Sequence, residues 1–246
     1  MSSATITTSA RLMNSTPQTE EQAMVRKVAV SSFLGNFIEW FDYASYSYFA
    51  TTIALVFFPT DNHTVAMLQT FGVFALSFIL RPIGALFWGS YGDKKGRKAA
   101  LAHSIMFMSG ASFLIGCLPS YSVIGVGAPI LLLLLRMVQG FSASGEYAGA
   151  ATFLGEYAPT SKRGIYCSLI PASTAIGLLA GSTLATLMTA NMNSSAMVGW
   201  GWRVPFLLAG PLGLIVLYIR TKLADSPVYQ SMNDALESKG AASADG

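Results

Sequence analysis

Long apolar runs separated by short polar punctuation dominate the chain. They read as six helices, at roughly 28–58, 65–90, 99–118, 126–157, 165–190 and 203–221, each long enough at about 1.5 Å per residue to cross a hydrocarbon core about 30 Å thick. The connections "PTDNHT", "GDKKGRK", "PSYSVIGVG", "APTSKRG" and "NMNSSAMVGWG" supply the turns. Residues 1–25, rich in Ser and Thr, are expected to be a disordered polar tail. Residues 26–222 form the bundle, and 223–246 form a second polar tail. The predicted fold class is an all-α polytopic membrane protein with a six-helix bundle.

Composition agrees with that pattern. Hydrophobic residues make up 52% of the chain and charged residues 11%, where a soluble domain carries about a quarter charged, so a large soluble core is excluded. The net charge of +3 is too small to imply nucleic acid. Cys117 and Cys167 lie in apolar context at no metal or redox spacing and are expected to be buried thiols. No cleavable signal peptide is visible.

The basic residues set an orientation. Arg11, Arg26 and Lys27 precede the first span; Lys94, Lys95, Arg97 and Lys98 follow the second. Lys162 and Arg163 follow the fourth, and Arg220, Lys222 and Lys239 follow the sixth, against Arg203 alone on the other side. The positive-inside rule places both termini in the cytoplasm.

Five ionisable residues fall inside spans: Glu39, Asp42, Arg81, Arg136 and Glu146. Each costs several kcal/mol unless it meets a partner or a wet cavity. The plainer reading of any one is a buried pair that pins helices. On the first span, Ser32, Gly35, Asn36, Glu39, Asp42, Tyr43 and Tyr46 share one stripe, opposite an aromatic face of Phe33, Phe37, Trp40, Phe41 and Tyr48. Arg136, Gln139, Gly140, Ala143 and Tyr147 share a face of the fourth span, with Glu146 at its margin. Counting the rise from each end puts Asp42 about 21 Å in from the cytoplasm and Arg136 about 12 Å in from outside, at a common level. The same arithmetic pairs Arg81 with Glu146 nearer the cytoplasm. A polar stripe around such pairs favours a cavity wall over a purely structural contact. Asn36, Tyr43, Tyr46, Gln139, Tyr147, Glu146 and Arg81 are its candidate lining residues.

The loop "GSYGDKKGRK", Gly89 to Lys98, resembles the signature loop of the major facilitator superfamily. Glycine there permits a tight turn and close approach, Asp93 can cap a helix, and Arg97 can reach a carboxylate. "GNFIEWFDY", "RPIGALFWGSYGDKKGRK", "RMVQGFSASGEYAGAATFLGEYAPTSKRG", "WGWRVPF" and "ADSPVYQ" narrow the resemblance to the superfamily's metabolite:proton symporter branch, over Val28 to Gln230. The "GEYAGA…EYAP…KRG" string is most similar to proline/glycine betaine transporters. "LQTFGVFALSFILRPIGALFWG" is as similar to oxoglutarate and citrate members.

The resemblance implies the N-terminal half of the major facilitator fold, a 3+3 inverted repeat, in a bacterial-type cytoplasmic (inner) membrane. It implies alternating access, symport of a small polar solute with protons, and no cofactor beyond the proton itself. Asp42 and Arg136, with Glu39 beside them, become the proton-coupling group. Gly89, Asp93, Gly96, Arg97, Glu156 and Arg163 become a cytoplasmic gate network. Family members have twelve helices, so the expected partners are the lipid bilayer, the solute, and a missing second half or a second copy. The leading solute is a zwitterionic osmolyte; a di- or tricarboxylate is the alternative, and a half-transporter that binds without transporting is the reading of another class. Gly177 and Gly181 form a GxxxG without a following proline, expected to pack helices closely. No nucleophile–base pair, metal cluster or nucleotide loop suggests an enzyme.

Overall fold

A computed structural model describes residues 15–223 and Ser231. Among them every regular element is helical. The first span comprises Ser15–Tyr48 and Ala50–Phe57, and the second His63–Ile79 and Arg81–Lys95. The third is Arg97–Cys117, the fourth Gly127–Ala143 with Glu146–Tyr157, the fifth Arg163–Cys167 with Leu169–Asn191, and the sixth Val204–Thr221. Short helices Tyr121–Ile124 and Ser194–Gly199 occupy connections expected to be plain turns. The second is started by Asn193, whose Oδ1 accepts the Ala196 N–H at 2.8 Å.

The helix of the first span begins at Ser15, within the segment expected to be a disordered tail. Glu20, Glu21, Gln22, Ala23 and Met24 are strong helix formers and carry the span outward from its membrane portion. The rest of both expected tails lies outside the described residues.

Four spans are interrupted where continuous runs were expected. Pro82 lacks an N–H and crowds the preceding turn, so the second span breaks at Leu80. The fourth breaks at Ser144–Gly145, where the backbone presses on Trp88: a Cβ at Gly145 would stand 2.7 Å from the Trp88 Cβ. The first and fifth are offset at Phe49 and Ser168. Pro211 is tolerated inside the sixth.

Spans two to six are long and apolar enough to cross a membrane. The first is not among them, because its polar stripe dilutes its apolar character. The main helix contacts join spans one and five, three and six, three and four, and two and four, followed by one and six. Exchanging one with four, two with five and three with six maps this set onto itself, as a 3+3 inverted repeat requires. Hydrocarbon offers helices little hydrophobic reason to associate, so small residues and interhelical hydrogen bonds do the joining. Gly177 and Gly181 illustrate the first means: a Cβ on Gly177 would lie 2.7 Å from the Phe37 carbonyl oxygen, and one on Gly181 2.6 Å from the Ala44 Cβ.

Apolar clusters fill the bundle at three levels. Phe49, Ile53, Phe57, Trp202 and Phe206 pack at one end, Val28, Leu101, Phe153 and Leu154 at the other, and Ile38, Ile105, Met108 and Val216 between. The charged residues sit among these layers. Cys117 departs from expectation: it is exposed at the end of the third span, and Cys167 is half-buried.

Candidate functional site

Glu39, Asp42, Tyr43 and Tyr46 follow a three-and-four spacing, which puts them on one helical face. That face turns into the bundle. Arg136 Nη1 donates to Asp42 Oδ2 at 2.7 Å, with side chains 1% and 4% exposed. The guanidinium lies 3.7 Å over the Tyr46 ring, with Phe206 at 5.6 Å. Tyr46 in turn donates its hydroxyl to the Thr70 carbonyl at 2.9 Å. One turn along the fourth span, Gln139 Nε2 donates to Ser112 Oγ at 2.5 Å. Much of this group's hydrogen-bonding capacity is unused: Asp42 Oδ1, Arg136 Nε and Nη2, Gln139 Oε1 and Ser142 Oγ are buried without a partner.

The second pair departs from the expected one. Arg81 Nη2 donates to Glu39 Oε1 at 2.5 Å and also to the Tyr43 hydroxyl, rather than reaching Glu146. Equal-level arithmetic treats side chains as points. Cα–Cβ bonds tilt toward a helix's N-terminus, so Glu39 and Arg81, on antiparallel spans, lean toward each other along the bundle axis. Tyr43 and Phe78 flank the guanidinium at 5.0 and 4.7 Å. Glu39 is 1% exposed and its Oε2 has no partner, while Arg81 remains 26% exposed.

Glu146 takes a partner that the loop-charge count concealed. Arg220 is 1% exposed and binds both carboxylate oxygens, with Nη1 at 2.9 Å from Oε2 and Nη2 on Oε1. It also donates to the Leu101 carbonyl at 2.5 Å and from Nε to Ser31 Oγ at 3.2 Å, while Ser104 donates to Glu146 Oε2 at 3.3 Å. A Cβ on Gly35 would collide with Glu146 Oε1 and Arg220 Nη2, so only glycine lets the first span approach this pair. The signal was present: Ala209, Gly213, Val216 and Arg220 share the buried face of the sixth span.

Most residues expected to wall a solute cavity face inward. Asn36 Nδ2 donates to the Ile170 carbonyl, Ser173 Oγ and Thr174 Oγ1 at 2.8–3.0 Å and ties the first span to the fifth. Tyr43, Tyr46, Gln139 and Glu146 are likewise buried. Polar groups beside hydrocarbon are cheapest when they satisfy one another between helices, which draws such a stripe inward. Arg81 and Tyr147, the latter 44% exposed, are the two of the seven that reach the surface.

At the second loop, Gly96 adopts φ 95°, the left-handed turn expected of glycine. Gly89 makes no close approach, since nothing lies within 4 Å of a Cβ built there. Asp93 caps no helix; it pairs with Arg97 at 2.9 Å across the turn. Glu156 and Arg163 stay apart from this pair and from each other. Glu156 Oε2 is buried without a partner and Arg163 is exposed, so the six gate candidates do not close into one network here.

Residues 27–245 match the family described as sugar (and other) transporters. The chain belongs to that family. Its relatives include the proline/betaine transporters of Salmonella typhimurium (strain LT2) and Escherichia coli (strain K12), each 42% identical over 217 residues, covering 88% of this chain and 43% of the relative. The glycine betaine/proline/ectoine/pipecolic acid transporter of Dickeya dadantii is also 42% identical. The fold matches the xylose transporter XylE from E. coli in a partially occluded inward-open conformation, at a TM-score of 0.77 and 17% identity over 85% of this chain and 52% of that one. A second match is to the major facilitator superfamily proton:xylose symporter XylE bound to 6-bromo-6-deoxy-D-glucose, at a TM-score of 0.75. The chain is therefore a multi-pass membrane protein with the N-terminal six-helix half of the major facilitator fold. It spans less than half the length of these curated relatives.

Proposed function

We propose that this chain is the N-terminal half of a proton-coupled symporter for a small zwitterionic osmolyte such as proline or glycine betaine. It works in the cytoplasmic (inner) membrane with both termini on the cytoplasmic side. A second six-helix half, in another segment or another copy, completes the pathway.

The observation that carries the reading is the bonding state of Asp42–Arg136. A pair serving only to pin helices is best made with its donors and acceptors used, as Arg220 and Glu146 use theirs. Asp42 instead holds Arg136 through one hydrogen bond and keeps a buried oxygen free, while Arg136 keeps two unpartnered nitrogens. Taking a proton at Asp42 gives up a single ionic hydrogen bond, so loading and release stay within reach of a conformational change that alters solvation. Glu39 extends the acidic face by one turn. The resemblance to proline/betaine transporters supports the solute class.

The test is solute uptake by the purified, reconstituted protein under an imposed pH gradient, with proline, glycine betaine and a dicarboxylate as the panel. Proton-dependent accumulation of proline or betaine supports the reading. Proton-dependent accumulation of the dicarboxylate alone overturns the solute class, and uptake indifferent to the gradient overturns the coupling.

A further inference from the structure

The three buried ion pairs differ in what a solute can reach. Arg136 and Arg220 are each 1% exposed, whereas Arg81 is 26% exposed, so of the three arginines only Arg81 presents charge at the surface of the bundle. Its hold on Glu39 is thin. One nitrogen, Nη2, serves both Glu39 and Tyr43, and Nε is buried without a partner. Glu39 uses one oxygen and leaves Oε2 unpartnered. A guanidinium offers a carboxylate two parallel donors, and this one has donor capacity to spare.

Resting on the symporter reading, we infer that Arg81 is the binding residue for the carboxylate group of the solute, and that the solute takes Arg81 from Glu39 and so obliges Glu39 to accept a proton. The exchange balances. The incoming carboxylate forms the ion pair that Glu39 gives up, no covalent bond changes, and one proton from the connected aqueous phase adds to a Glu39 oxygen. Arg81 is the one cation within ion-pair distance of Glu39 among the described residues. A carboxylate 1% exposed and stripped of its only cation takes a proton rather than keep a bare charge in a dry interior. The remaining charges around it reinforce this. Asp42 on the same span and Glu146 on the fourth both act on Glu39 as like charges, while Arg136 and Arg220 are engaged by those two acids. The Tyr43 hydroxyl accepts from the same Arg81 nitrogen. Phe78, exposed beside the guanidinium, gives an aromatic rim suited to the methylated or ring-borne nitrogen end of a zwitterion. Carboxylate in and proton on become two halves of one event.

The test uses the protein in lipid nanodiscs at neutral pH, with isotope-labelled acetate as the simplest carboxylate probe. Infrared difference spectra read the carbonyl stretch of a protonated carboxyl, and an indicator dye reads protons taken from the medium. In the wild type, acetate is expected to raise the band and take up a proton. Glu39→Gln should bind acetate and lose both signals. Arg81→Gln should show the band without acetate and gain nothing from it. Arg81→Lys keeps the cation and should restore the response with affinity weakened about tenfold, since it lacks the planar fork. Glycine betaine should act like acetate, and choline, which lacks the carboxylate, should not.

A wild type insensitive to acetate, an acetate-induced band that persists in Glu39→Gln, or no band in folded Arg81→Gln would each overturn the inference. An acetate response without solute flux would count against the symporter reading alone. Solute flux at wild-type level in Arg81→Gln would count against this inference alone.

Discussion

Two arginine–carboxylate pairs of similar burial carry opposite expectations. Glu146–Arg220 is bonded at both oxygens and braced by Ser31, Ser104 and the Leu101 carbonyl, so it behaves as a fixed joint. Arg220→Ala leaves Glu146 buried without its cation, and should cost about 3–5 kcal/mol of stability, read as loss of folded protein on size-exclusion after mild heating. Gly35→Ala places a methyl on the same joint and should cost about 1–3 kcal/mol by the same assay; an unchanged folded fraction would mean that the first span can back away. On the proposed reading, Asp42–Arg136 is the working counterpart. Asp42→Asn should abolish uptake driven by a pH gradient while leaving solute counterflow measurable, because the asparagine keeps the shape and hydrogen bond but not the titration. Uptake at wild-type level would remove Asp42 from the coupling.

Among elements, the first and fifth spans depend on a backbone-to-backbone approach. Gly181→Val would put a branched side chain where a single Cβ already comes within 2.6 Å of Ala44, so folded yield should fall sharply; Thr183→Val, exposed on the same helix, is the control and should be tolerated. This scale also shows what the sequence made legible. Span number and the polar face of the first span follow from periodicity, and the common level of Asp42 and Arg136 needs only the rise per residue. Partner choice was not legible. Arg81 meets Glu39 because side chains lean toward helix N-termini, and Arg220 enters the core although it looks like the first charge of a cytoplasmic tail. The inward direction of Asn36 was equally hidden, since a polar stripe reads the same whether it faces water or Ser173 and Thr174 of another helix. Breaks at Leu80 and Gly145 depend on neighbours, through Pro82 in one case and Trp88 in the other.

At the scale of the whole molecule, the Asp93–Arg97 pair is half-exposed and made across one turn, a contact worth little as stability. On the proposed reading it matters by linking halves during cycling. Arg97→Ala should slow exchange across the membrane several-fold while leaving solute affinity within about twofold; a pure loss of affinity would contradict a gating role. The first span, finally, has a consequence for the protein's birth. It leaves the ribosome ahead of the other five, it is the least apolar of the six, and its two acids are answered by arginines that arrive later, Arg81 with the second span and Arg136 with the fourth. Seating of the first span is therefore expected to be completed only when those arginines are present. A nascent chain arrested after the third span should hold Asp42 without its cation and stay extractable or protease-sensitive, and extending the arrest point beyond Arg136 should seat it. The two carboxylates that on the proposed reading move protons also make the span a guest that waits at the translocon until its hosts are translated.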